Sequence, residues 1–329
     1  MTSAEDDDAR WLAAAASLAE RARPLSRPNP AVGAMIVREG CVVGRGWTGA
    51  GGRPHAEAVA LAQAGENATG GTLYVTLEPC AHESPRGPAC ADLVAASGLS
   101  RVVIGCEDPD TRTVGKGMAR IRAAGIAADL LPSSRALASL AGYLSLRGKG
   151  RPHVTLKLAL SQDGCLARPP GEDRWLTGEA ARAHCHALRA KSDAILVGGG
   201  TLRADSPRLD VRLPGLEARS PERWVLTRGA APDGWRKLAS PQAVKDMGDV
   251  QYLFVEGGAE VARAFAGTGL VDRLVIYRAP FDIGPGVPAL PEFALGALTS
   301  GKAPWRMVDS QTLGSDTLEV YEPVPCSPE

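Results

Sequence analysis

His55-Ala56-Glu57, then Thr72-Leu73-Tyr74-Val75-Thr76-Leu77-Glu78-Pro79-Cys80, and finally Cys90 are the stretches on which the reading of this chain turns. One imidazole and two thiols form the donor set of a tetrahedral zinc with three protein ligands and a fourth position open to water. An open position implies chemistry, because a purely structural zinc takes a fourth protein ligand, and His82 is the residue here that would supply one. Zinc lowers the pKa of bound water to about 7, and Glu57, two residues past the His ligand, is the expected shuttle carrying that water's proton to a leaving group.

The residues between the ligands predict how the set is assembled. Glu57 to Ala62 reads as a helix ended by Gly65, placing His55 and Glu57 at its positive N-terminal end. Thr72 to Leu77 reads as a strand, with Pro79-Cys80 following it. Cys90 opens a helix from Ala91 to Ser97, capped by Gly98, and a helix N-terminus favours thiolate. Arg101 to Ile104 is the next strand, so the order is that of a parallel crossover unit with its site at the carboxyl ends of the strands. His-x-Glu followed by Pro-Cys and a second Cys matches the zinc-dependent nucleobase deaminases, except that nine residues, Ala81 to Ala89, separate the cysteines where two are usual.

Composition bounds the rest. The chain has 329 residues, enough for two domains that each bury a core. Thirty-seven basic residues balance 37 acidic ones, which argues against a generic nucleic-acid binder. Seven cysteines, an odd number, and the acidic run Glu5-Asp6-Asp7-Asp8 ahead of the apolar stretch Trp11 to Ala16 predict reduced thiols in a cytoplasmic protein rather than a secretory leader. No apolar run reaches the roughly 18 residues of a membrane span.

Along the chain, residues 1–8 are expected to be disordered and 9–23 helical, with Pro24 as the stop. Pro28-Asn29-Pro30 leads into a hairpin of Ala31 to Val37 with Cys41 to Val43, and Asn29, stiffened by two prolines, is a candidate to present its amide to a pyrimidine ring. Ile126 to Leu131 reads as a last strand and Ser133 to Leu146 as a closing helix. Arg147-Gly148-Lys149-Gly150-Arg151-Pro152 then breaks every periodicity, which predicts domains at 1–147 and 148–329. The second half predicts strands at 153–160, 193–197, 223–227, 250–255, 272–277 and 318–321, and helices at about 178–190 and 259–266. Glycine-rich turns at Gly198 to Thr201 and Glu256 to Ala259 follow strands, but neither is G-x-G-x-x-G, which argues against a Rossmann domain.

With its long cysteine-to-cysteine loop containing His82 and Arg86, the first half resembles the deaminase half of the bifunctional riboflavin-biosynthesis deaminase/reductases, whose loop is commonly one residue shorter. Lys157 to Gly164, Trp175-Leu176-Thr177, Gly200 to Pro207 and Val255 to Gly258 resemble the reductase half. The resemblance implies an α/β chain, a cytidine-deaminase-like α/β/α sandwich followed by a dihydrofolate-reductase-like domain, using Zn2+ and NADPH. It implies metal ligands His55, Cys80 and Cys90, and Glu57 as proton shuttle. It further implies a phosphorylated pyrimidine substrate contacted by Asn29, His82, Arg86, Asp108 and Asp110, where the family commonly has Asn at position 110. Gly115-Lys116-Gly117 is a second phosphate candidate beside Arg86.

In the second half the resemblance assigns cofactor contacts to Ala159, Trp175, Thr201, Asp205 and the run Gly258, Ala259, Glu260, Val261, Ala262, Arg263, Ala264, with Arg228 as partner for a 2'-phosphate. Substrate contacts fall on Asp173, Arg189, Leu209, Arg212 and Glu256, the two arginines forming a phosphate clamp; Asp173 stands where a small hydroxyl residue is expected. Lys157 and Asp205 are the catalytic candidates, Lys157 because its strand points it away from Leu156 and Leu158 toward Glu256. His184-Cys185-His186 invites a second metal, but histidines two apart on a helix face different directions. Expected partners are a small phosphorylated pyrimidine and further copies of the chain, with neither nucleic acid nor membrane. The competing readings are a cytidine or tRNA-adenosine deaminase with an unrelated appendage, and a sensor whose second domain binds a nucleotide without turning it over.

Overall fold

In strand β1 (Gly33–Arg38), Ala34 and Ile36 face one way and Met35 and Val37 the other, and all four are buried. A sheet built on such a strand has to be covered on both faces. The computed structural model describes residues 4–82, 84–167, 176–288 and 305–324, and the chain divides into two compact units, Met1–Gly150 and Arg151–Glu329.

In the first unit, β1 pairs antiparallel with β2 (Cys41–Trp47) and with β3 (Thr72–Val75); β4 (Arg101–Ile104) and β5 (Ala127–Leu130) continue parallel, giving the order β2-β1-β3-β4-β5. Helix α1 (Ala4–Ala19) covers one face through Leu12 and Ala15. Helices α2 (Ala56–Ala64), α3 (Cys90–Ala95) and α4 (Lys116–Ala123) cover the other through Ala56, Ala60, Val94 and Ile121. Gly46 lets α2 lie close, since a Cβ there would stand 2.3 Å from the Ala56 carbonyl oxygen.

Two expectations need correcting. Residues 4–8 are helical, not disordered: Asp8 is buried, accepting from Tyr74 Oη at 2.8 Å and from both terminal nitrogens of Arg101 at 3.0 and 2.9 Å. The acidic run that reads as a solvated tail thus supplies an anchor for the sheet. The single closing helix is two, α5 (Ser134–Ser139) and α6 (Ala141–Lys149), meeting at Leu140; α6 runs on to a left-handed Gly150 cap.

The second unit is an eight-stranded sheet. β6 (His153–Leu160), β8 (Ala194–Gly198), β9 (Glu222–Leu226), β10 (Arg236–Leu238), β11 (Tyr252–Val255) and β12 (Arg273–Arg278) are parallel, and the antiparallel pair β14 (Trp305–Leu313) and β15 (Asp316–Pro323) extends one side. The order is β10-β9-β8-β11-β6-β12-β15-β14. A separate ribbon pairs β7 (Cys165–Ala167) with β13 (Val287–Pro288). One face buries Leu156, Leu158 and Phe265 under α9 (Ala259–Ala266); the other buries Val197, Phe254 and Tyr277 under α7 (Glu179–Arg189). A further short helix, α8 (Gly199–Asp205), follows β8 and makes the first glycine-rich turn a helix start like the second. The unit's first strand is pinned by Asp272, which binds Arg151 at 2.5 and 3.0 Å and the Val154 amide at 2.9 Å.

Candidate active sites

The metal-ligand set is assembled at the carboxyl end of β3 and the starts of two helices. His55 is the N-cap residue of α2, Cys80 follows β3, and Cys90 is the first residue of α3. His55 Nδ1 lies 3.1 Å from Cys90 Sγ and 3.6 Å from Cys80 Sγ. A tetrahedron with Zn–S near 2.3 Å and Zn–N near 2.0–2.1 Å has N···S edges of about 3.5 Å, so the donors fit zinc. Among the described residues, these three form the group able to hold a metal ion; His82 is outside it, its Nδ1 lying 3.4 Å from Thr113 Oγ1. The donor set therefore leaves the fourth corner to a non-protein ligand.

The two sulfurs share one proton: Cys80 is pulled down, while the hydrogen bond to Cys80 and burial push the Cys90 thiol up. The Cys90 amide donates to Cys80 Sγ at 3.3 Å. Hydrogen bonding from the Cys90 thiol, then from His55, outweighs burial and pulls Cys80 well below an ordinary thiol. Glu57, in the first turn of α2, is buried, and burial raises its carboxyl above the usual value although His55 opposes the shift. A buried carboxyl beside the metal position is placed to accept a proton and hand it on.

A cavity of about 220 Å³ opens from this corner and brings together Asn29, His82, Arg86, Asp108 and Asp110 with His55, Glu57 and Cys80. Asn29 Nδ2 is 3.3 Å from the Gly52 carbonyl and 3.5 Å from His55 Nε2. Gly52 has φ +85° and any Cβ there would sit 2.4 Å from Asn29 Cγ, so the glycine sets the position of the amide. Asp108 is buried and accepts from Tyr143 Oη at 2.8 Å and the Asp110 amide at 3.0 Å; Arg86 donates to the Gly51 carbonyl at 2.7 Å. The Gly115-Lys116-Gly117 turn is not a phosphate loop. The Glu78 carboxylate already accepts from the Gly115 and Met118 amides, each at 3.0 Å, and Lys116 Nζ binds the Thr111 carbonyl. Sequence reasoning missed Arg53, Arg112, Tyr143 and Arg147 on the cavity wall; Arg53, two residues before the first ligand, and Arg112, two residues after Asp110, carried a local signal.

In the second unit, a cavity of about 190 Å³ lies between the sheet and α7, lined by Lys157, Ala159, Cys185, Arg189, Arg212, Glu256 and Tyr277 among others. Strand β6 alternates buried Leu156 and Leu158 with Lys157 and Ala159, as its sequence predicts, and Lys157 Nζ stands 5.9 Å from the centroid of the Tyr277 ring. Glu256 is one residue beyond the Val255↔Leu156 register pair, which brings it level with Lys157.

Several expected contacts are placed differently. Arg189 is not an open phosphate clamp: its Nε and Nη2 hold the Glu256 carboxylate at 2.5 and 2.9 Å, and its Nη1 donates to the Asp210 carbonyl at 3.0 Å. Leu209 packs into the core with Cys185, Val197 and Phe254 at φ +54°. Asp205 is exposed at the end of α8, and Val261 and Ala262 are buried on the core side of α9, leaving that helix's start, Gly258, Ala259 and Glu260, as its more accessible part. Gly258 and Thr201 face each other, a Cβ on the glycine falling 3.9 Å from Thr201 Oγ1; Arg228, Arg263 and Glu260 are exposed, and Ala264 is partly buried. Asp173 and Trp175 lie outside the described residues. His184 and His186 diverge, the first to Tyr277 Oη at 2.8 Å, the second to the Arg212 amide at 3.3 Å, and share no metal position.

Two family models match in the order of the two units: the cytidine and deoxycytidylate deaminase zinc-binding region over residues 5–106, and the RibD C-terminal domain over residues 152–318. The riboflavin biosynthesis protein RibD of Chlamydia trachomatis is 38% identical, the match covering 87% of this chain and 88% of that protein. Its Escherichia coli counterpart is 35% identical, with 84% and 89% covered. The chain belongs to the RibD family. Two solved structures of that family superpose over nearly its full length. Acinetobacter baumannii RibD has a TM-score of 0.82 at 31% identity, covering 98% of this chain and 100% of that one. A diaminohydroxyphosphoribosylaminopyrimidine deaminase/5-amino-6-(5-phosphoribosylamino)uracil reductase from Thermotoga maritima has a TM-score of 0.83 at 27% identity, covering 97% and 99%. As a RibD protein the chain is a bifunctional deaminase and reductase of riboflavin biosynthesis, with Zn2+ and NADPH as cofactors.

Proposed function

We propose that residues 1–147 deaminate 2,5-diamino-6-(5-phosphoribosylamino)pyrimidin-4(3H)-one and that residues 148–329 reduce the product's ribosyl chain with NADPH, giving 5-amino-6-(5-phosphoribitylamino)uracil. The observation that carries this reading is the convergence of His55, Cys80 and Cys90 at the floor of a cavity that also holds buried Glu57 and the Asn29 amide. When bound, zinc supplies a water acidic enough to act as hydroxide at neutral pH. Glu57 accepts that water's proton and returns it to the departing amine, burial making its carboxyl a better proton acceptor than an exposed one. Asn29 orients the pyrimidine ring, and His82, Arg86, Asp108 and Asp110 take the ribotide end.

In the second unit, Lys157 orients the sugar and delivers a proton to it, while Glu256 and Arg212 border the substrate and Arg189 holds Glu256 in place. Ala159, Thr201, Asp205, Arg228 and the start of α9 serve NADPH, with Arg228 reading the 2'-phosphate. The chain acts in the cytoplasm as a homo-oligomer on a small phosphorylated pyrimidine, without nucleic acid or membrane; among the described residues no helix is long and apolar enough to cross a bilayer. The test supplies NADPH with either the diamino or the deaminated ribotide. Wild type consumes NADPH with both, and Glu57→Gln only with the deaminated one. Saturable NADPH binding without consumption would overturn the reductase assignment.

A further inference from the structure

Asp110 sets a carboxylate beside the path of a phosphorylated substrate in the deaminase cavity. Left alone, that charge would repel a phosphate, since like charges at close range disfavour one another. The structure does not leave it alone. Arg112 forks onto Asp110 through Nε at 2.9 Å and Nη2 at 2.6 Å, and Arg147 Nη2 approaches Asp110 Oδ2 at 3.5 Å from helix α6. The Asp110 side chain is only 9% exposed, whereas those of Arg112 and Arg147 are 59% and 48% exposed. The mount is built from buried parts: Tyr143 Oη and the Asp110 amide both donate to buried Asp108, and the guanidinium of Arg147 lies 5.5 Å from the Tyr143 ring centroid. A guanidinium offers five N–H donors and the Asp110 fork uses two of those on Arg112, which leaves donors directed elsewhere on both arginines. Arg112 and Arg147 thus face the Asp110 carboxylate together, while the other carboxyl at this end, Asp108, is occupied by Tyr143 Oη and the Asp110 amide.

We infer that Arg112 and Arg147 receive the phosphate of the ribotide in the deaminase cavity, and that Asp110 is the positioning residue that presets their guanidinium groups. The inference rests on the reading of the deaminase substrate as phosphorylated. It makes position 110 part of a three-residue device: the carboxylate is tolerable because two arginines, distant in sequence from each other, accompany it. Arg86, whose Nη2 is engaged by the Gly51 carbonyl, then borders the loop side of the same anion.

The test compares the ribotide with its dephosphorylated riboside, using the zinc-loaded full chain. Wild type, Arg112→Gln, Arg147→Gln, the double variant and the double variant with Asp110→Asn are assayed for kcat and KM, and each is checked for zinc content and melting temperature. Each single substitution is expected to raise the ribotide KM about tenfold more than the riboside KM, as loss of a charge-assisted hydrogen bond does. In the double variant Asp110 faces the phosphate uncompensated, so adding Asp110→Asn should lower the ribotide KM again. Equal KM changes for both substrates, or a further rise on adding Asp110→Asn, would overturn the inference. A wild type with the same KM for both forms would instead remove the phosphate reading beneath it, whereas a wild type that discriminates alongside variants that still do so would remove the inference alone.

Discussion

Replacing Arg189 by Met tests the claim that this arginine is a support for Glu256 and not a substrate clamp. The two side chains are each 11% exposed and joined by bonds of 2.5 and 2.9 Å. Breaking a pair buried to that degree strands a carboxylate in low dielectric and should cost about 3 kcal/mol. For a unit of this size that is a fall in melting temperature of about 6–12 °C. Glu256→Gln should cost a similar amount by stranding the guanidinium. The double variant should lose about 2 kcal/mol less than the sum of the two, because neither charge is then orphaned. The pH dependence has a definite sign. Burial alone raises the Glu256 carboxyl, but the hydrogen bonds and charge of Arg189 outweigh it and leave the folded value below the unfolded one. The stabilisation is therefore complete above the unfolded value of about 4.3 and is lost as pH falls through the folded one, in wild type but not in Glu256→Gln. Calorimetry of the four proteins between neutral and acid pH measures all of this. Strictly additive losses in the double variant would refute the argument.

Gly52→Ala introduces a Cβ 2.4 Å from Asn29 Cγ at a left-handed backbone position, so deamination should fall about a hundredfold with zinc content unchanged, measured by single-turnover kinetics and metal analysis. Lys157→Met should reduce NADPH oxidation by a factor of about a hundred or more while the Kd for NADPH, followed by fluorescence, stays near the wild-type value. Asp8→Ala, which removes the acceptor of Tyr74 and Arg101, should destabilise the first unit by about 2 kcal/mol in urea unfolding; no loss would mean the acidic start of α1 contributes nothing to the sheet.

What was legible in the sequence follows the range of the interactions involved. Strand β6 announces itself by alternation, and the same alternation aims Lys157 and Ala159 at the cavity. The zinc ligands are legible because two of the three lie at helix starts that the local sequence marks. Asp8, by contrast, finds its partner 93 positions away at Arg101, and nothing near an acidic run says that a guanidinium waits for it. Glu78 is similar: its carboxylate fills the start of α4, so a glycine-lysine-glycine turn that looks ready for phosphate is already taken. Arg189 reads from sequence as a cation facing substrate, since its contact with Glu256 crosses from α7 to the end of β11 and leaves no local trace. The β14 strand was missed because its side chains are almost all exposed, and an edge strand without a buried face leaves little pattern to read.

The account depends most on the carboxyl of Glu57 working beside a zinc held by His55, Cys80 and Cys90 alone. Metal analysis and deamination assays on wild type and Glu57→Gln address it together. About one zinc per chain in both proteins, with deamination lost only in the variant, is the predicted result; zinc lost along with Glu57, or turnover that survives its replacement, would contradict it.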